Sequence, residues 1–75
     1  MKQRVIKERA IRAQGVPNLR LLRQRKGLSI GQLADMTGLR RDTISHLESG
    51  REDPQPYQLR LLARVLDVPQ FDLVS

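Results

Sequence analysis

The chain has 75 residues and a formal net charge of +6, from 14 Lys and Arg against 8 Asp and Glu. That length holds one compact domain with a modest core. The lack of cysteine excludes a disulfide framework and thiolate metal sites, and one histidine without an accompanying acid cluster argues against a catalytic metal.

Residues 1–26 carry Lys2, Arg4, Lys7, Arg9, Arg12, Arg20, Arg23, Arg25 and Lys26 against Glu8 alone, whereas the rest of the chain is slightly acidic. A basic end on a small domain is the electrostatic footprint of a polyanion partner, nucleic acid before anionic membrane. Tyr57 and Phe71 are the only aromatic residues, too few for the stacking platforms that hold single strands or RNA. No apolar run approaches the roughly 20 residues that cross a bilayer. The basic N-terminus lacks the apolar segment of a secretory signal, so a soluble cytoplasmic protein is expected, with no cofactor and no membrane contact.

In chain order, residues 1–16 read as a basic arm or a short helix, and residues 17–75 as the domain. The arm reading has the basic segment wrapping DNA. The segment 17–26 predicts a helix: Pro17 suits a first turn, Leu19 and Leu22 share a face, and Gly27 ends it. Ser29 caps a second helix over 30–37, with Gln32 in a capping-box relation. Leu33, Ala34 and either Met36 or Thr37 supply its apolar contacts. Gly31 inside this helix marks a close backbone approach or a tolerated flaw. Gly38 breaks the chain, and a third helix spans 41–49 until Gly50 stops it in the left-handed conformation. After the proline-bearing loop 51–56, a fourth helix over 57–66 turns Leu59, Leu62, Ala63 and Leu66 to the core. Pro69 opens a short fifth helix that returns Phe71 and Val74, or Leu73, to the interior. The fold class expected is all-α, a compact bundle of about five short helices.

The informative stretch is LSIGQLADMTGLRRDTISHLESG, residues 28–50. When two helices cross steeply over a short turn, each key residue has a physical task. Ala34 is small where the third helix packs on the second. Gly38 re-aims the chain, and Leu39 plugs the turn. Ile44 and Leu47 form the buried face, which leaves Arg41, Asp42, Ser45 and His46 outward. Those four form the surface a recognition helix offers to base edges.

This ordered set resembles the helix-turn-helix family of the lambdoid phage repressors and Cro, the XRE family, from about Asn18 to Val74. Leu22-Arg23 with Gly27-Leu28-Ser29, Glu48-Ser49-Gly50, and Pro56 followed by Leu59, Leu62-Ala63, Leu66 and Val68 agree with it. The resemblance implies sequence-specific binding of double-stranded DNA by a transcriptional regulator, with the helix 41–49 in the major groove. It assigns base contacts to Arg41, Asp42, Ser45 and His46. Phosphate contacts fall to Ser29, Arg40, Thr43, Ser49 and Arg51, and a structural ion pair to Arg23 and Glu48. Two positions depart from the family. Arg40 replaces the usual Ser or Thr cap. Ile30 replaces a Gln that reaches phosphate, so that contact is lost or taken over by Gln32 or Ser29. Asp42 either accepts from cytosine N4 or favours the positive end of its own helix.

The family also implies a homodimer on an inverted repeat with half-sites about 34 Å apart. Leu61, Val65 and the Phe71 region are the candidate dimer patch, and no separate ligand-sensing domain is expected. The rival reading is an antitoxin or protein-interaction module of the same fold, with a toxin or other protein as partner. The polar outward face of the third helix disfavours it. Ser45, His46 and Asp42 do not form a nucleophile–base set, because helix neighbours point about 100° apart. No enzyme is expected.

Overall fold

A computed structural model describes residues 14–75, so the segment expected as an arm or short helix lies outside the described residues up to residue 13. Among the described residues there are five α-helices and no strand: α1 Leu19–Arg25, α2 Ile30–Thr37, α3 Arg41–Ser49, α4 Pro56–Leu66 and α5 Gln70–Val74. The all-helical expectation holds.

Local chemistry sets the helix boundaries. Pro17 and Asn18 form a turn before α1 rather than its first helical residues, so α1 starts two residues later than the sequence suggests. The Asn18 amide is used elsewhere: its Nδ2 donates to the carbonyls of Asp72 and Ser75, both at 2.8 Å, and closes the end of α5. At α2 the capping box forms as expected. Gln32 N–H donates to Ser29 Oγ at 3.0 Å, and Ser29 N–H donates to Gln32 Oε1 at 2.8 Å. Helix α2 ends at Gly38 with φ 79° and α3 at Gly50 with φ 85°, both in the left-handed region that L side chains disfavour. Helix α4 starts one residue earlier than expected because Pro56 occupies its first turn, where a missing N–H costs nothing.

The core is one cluster drawn from every helix. Val16, Leu19, Leu33, Ala34, Ile44, Leu47, Leu62, Ala63, Leu66 and Leu73 are buried, with Leu22, Leu28, Ile30, Leu39, Leu59, Val65 and Val68 packed around them. Thr37, not Met36, is the buried partner at the end of α2. Its hydroxyl donates to the Leu33 carbonyl at 2.8 Å and accepts from Leu39 N–H at 3.2 Å, which tightens the turn.

The fifth helix corrects one expectation. Leu73 is fully buried, while Phe71 is 72% exposed and Val74 is 44% exposed. Residues two apart on a helix point about 200° from each other. Leu73 and Phe71 therefore cannot both face the core of so short a helix, and the smaller side chain takes the site. Among the described residues no buried side-chain nitrogen or oxygen lacks a hydrogen-bond partner, so the core closes without an orphaned polar group.

Candidate nucleic-acid interface

Helix α3 divides cleanly between two environments. Ile44 and Leu47 have no solvent exposure and fix the rotation of the helix about its axis. Arg41, Asp42 and Ser45 are then exposed, and His46 is half-buried at the margin of the same face. These residues are spaced i, i+1, i+4 and i+5, so they form one continuous strip. The His46 Nδ1 lies 3.7 Å from a Glu52 carboxylate oxygen, which ties the edge of the strip to the loop after α3.

The N-terminal end of α3 is open. Arg40 takes the cap position with an extended backbone, and its side chain makes no capping hydrogen bond. The first N–H groups of a helix have no partner within it, and here no capping side chain takes one of them. Asp42 sits in this first turn, where a negative charge favours the positive end of the helix. Thr43 is half-buried beside it, and Arg40 is exposed.

The C-terminal end is pinned. Glu48 reaches inward with its side chain only 1% exposed and accepts from Arg23 Nε at 2.6 Å and Arg23 Nη2 at 3.2 Å. Arg23 Nη1 also donates to the Leu28 carbonyl at 2.8 Å, linking α1 to the turn before α2. The hydrogen bond to Glu48 is the main cause of an Arg23 pKa raised above the ordinary arginine value, opposed by burial and aided by the carboxylate charge. A raised base contributes stability that is complete below its unfolded pKa and is lost only as pH rises through the folded value. On the Arg23 side, the pair is therefore intact across neutral and mildly alkaline pH. The pairing implied by the family resemblance is present. Arg20, for which the sequence carries no local signal of pairing, adds a second contact to Glu48 at 3.3 Å from a solvent-exposed position.

A second clasp holds the same end. Val16 N–H donates to the Leu47 carbonyl at 2.8 Å, and the N–H groups of Gln14 and Gly15 donate to Asp53 Oδ1 at 2.7 and 3.0 Å. Gly15 has φ 70°, and a Cβ there would collide with the Leu47 carbonyl oxygen. Sequence alone gives no sign of Asp53, because its partners lie 38 and 39 residues away.

The remaining residues expected near phosphates lie at the helix ends around this strip. Ser29 and Gln32 are exposed at the start of α2, with one side of each engaged in the capping box. The Ser29 hydroxyl hydrogen and the Gln32 amide nitrogen are not used by that box. Ser49 is exposed, and its hydroxyl donates to the His46 carbonyl at 3.3 Å. Arg51 is exposed, while its backbone N–H donates to the same carbonyl at 2.9 Å. Leu61 and Val65 are half-buried, Val65 packing against the core, so they offer less free surface than Phe71.

Among the described residues no group of three or more His, Cys, Asp or Glu is arranged to hold a metal ion. No helix there is long and apolar enough to cross a membrane.

Comparison with known proteins agrees with this geometry. The chain is 41% identical over 58 residues to RghRB of Bacillus subtilis (strain 168), an uncharacterised HTH-type transcriptional regulator. That alignment covers 76% of this chain and 42% of the relative, so the chain spans less than half the relative's length. The helix-turn-helix family model matches residues 19–69, which takes in α1 to α4 and the turn before α5. The chain belongs to the helix-turn-helix family, in its XRE-type branch.

Proposed function

We propose that this protein is a non-enzymatic transcriptional regulator, a repressor or autoregulator, that reads double-stranded DNA with α3 in the major groove. One observation carries the reading: burial of Ile44 and Leu47 leaves Arg41, Asp42, Ser45 and His46 as a polar outward strip on a helix whose N-terminal end is open. The major groove admits an α-helix, and arginine matches the O6 and N7 acceptors of guanine as a two-pronged donor. Arg41 is assigned that contact. Asp42 is suited to the amino group of cytosine, and Ser45 and His46 extend the readout along the groove. Ser29, Gln32, Arg40, Thr43, Ser49 and Arg51 flank the strip and supply phosphate contacts, which fix register rather than sequence. The basic residues of the segment before Gln14 add general affinity, and the cytoplasm is where such a regulator meets its operator.

The exposed Phe71 and Val74 of α5 support a homodimer, in which two copies of α3 meet half-sites about one helical turn apart. The reading is tested with Arg41→Ala. Its expected result is a loss of ~1–3 kcal/mol of discrimination at one base pair of each half-site, with little change in binding to unrelated DNA. An unchanged preference would move Arg41 from the base-reading group to the phosphate-contacting group. A uniform loss with a shallower salt dependence would do the same.

A further inference from the structure

Gly31 occupies the second position of α2, where its backbone is ordinary helix and no turn requires the missing side chain. A glycine in such a place weakens a helix relative to alanine. The space beside it explains its presence. A Cβ at residue 31 would lie 2.7 Å from Arg41 Nη2, 3.0 Å from Cζ and 3.1 Å from Nε, and these are the three nearest atoms outside its own helix. The guanidinium of the first residue of α3 thus lies over the bare backbone of α2. Among the described residues no carboxylate pairs with Arg41.

We infer that Gly31 is a specificity-determining residue that acts through Arg41: the gap it leaves in α2 seats the guanidinium and fixes the direction of its donors before DNA arrives. The inference rests on the base-reading role proposed for Arg41. An arginine side chain has large rotamer freedom, and a seat that restricts it beforehand reduces what binding must order. A side chain at residue 31 displaces the guanidinium and re-aims the fork. Two-pronged recognition of one base edge tolerates such displacement poorly, because both donors must align at once. Gly31 is a positioning residue and makes no base contact of its own.

The test compares the sequences enriched from random duplex DNA by the unaltered chain, Gly31→Ala, Arg41→Ala and the double variant, together with their melting temperatures. Gly31→Ala is expected to melt at the same or a higher temperature, since alanine suits a helix better. It nevertheless loses about fivefold or more of the discrimination at one base pair, the same pair that Arg41→Ala affects. Adding Gly31→Ala to Arg41→Ala changes the preference no further, as expected of two residues acting through one contact. An unchanged preference in Gly31→Ala overturns the inference. So does a preference change that persists without Arg41. A lowered melting temperature also overturns it, because the obstacle would then be packed structure rather than the end of a flexible side chain. If the unaltered chain enriches no sequence, the base-reading role falls, and this inference with it.

Discussion

The two ends of α3 are built in opposite ways. At its C-terminal end, the chain's own groups satisfy one another: Glu48 takes two arginines, Leu47 O takes Val16 N–H, and Gly50 turns the backbone so that Arg51 N–H reaches the His46 carbonyl. At its N-terminal end, the cap position is an arginine that makes no cap, and Arg41 and Asp42 are exposed. Stability is concentrated where the helix leaves the candidate interface, and unsatisfied polar groups where it enters. A helix start with free N–H groups and a positive dipole end is suited to an external anion, so under the proposed function the end that is poorest for folding is the one that meets DNA.

The largest effect expected from breaking this contrast is at the pinned end. Glu48→Ala leaves Arg23 buried without its carboxylate and should destabilise the fold by about 3–5 kcal/mol in denaturant unfolding. A loss below about 1 kcal/mol would mean that the pair is worth no more than a surface one. Gly15→Ala comes next. It forces a side chain into the left-handed region and into the Leu47 carbonyl, so about 2–3 kcal/mol should be lost. Asp53→Ala removes the acceptor of two backbone N–H groups and should cost about 1–2 kcal/mol. If the melting temperature is unchanged, the Gln14–Gly15 clasp contributes nothing to stability.

The open end gives the smallest change and the opposite sign. Arg40→Ser supplies the missing cap and should stabilise the free protein by about 0.5–1 kcal/mol. It removes a cation beside the interface, so affinity for DNA of any sequence should fall and the salt dependence should become shallower. If Arg40→Ser stabilises the fold and leaves DNA affinity unchanged, the contrast is one of stability alone and the open end has no binding role.

What was legible in the sequence is what short spacing encodes. Ser29 with Gln32, Gly38, Gly50, and the Ile44 and Leu47 stripe are each decided within one or two turns of helix, and each forms as expected. The Arg23–Glu48 pair joins residues 25 apart and was readable only through family resemblance. Contacts without a local pattern were not readable: Asn18 on the carbonyls at the end of α5, Asp53 on Gln14 and Gly15, and Arg20 on Glu48. Gly31 stands out within its own helix, but the side chain beside it, Arg41, belongs to the facing helix. For Phe71, size and hydrophobicity favour burial, whereas helix phase allows only Leu73 inward. The exposed strip of α3 was legible in outline, since burying two known positions on a helix determines which others face out. The half-burial of His46 and its approach to Glu52 depend on how the following loop folds back.

The central claim is that the outward strip of α3 reads a defined DNA sequence, and selection of tight binders from random duplex DNA near physiological salt tests it most directly. Enrichment of an inverted repeat with half-sites about one helical turn apart is the predicted result. Failure to enrich any sequence, with only weak and salt-sensitive binding, would contradict the claim and turn the search toward a protein partner.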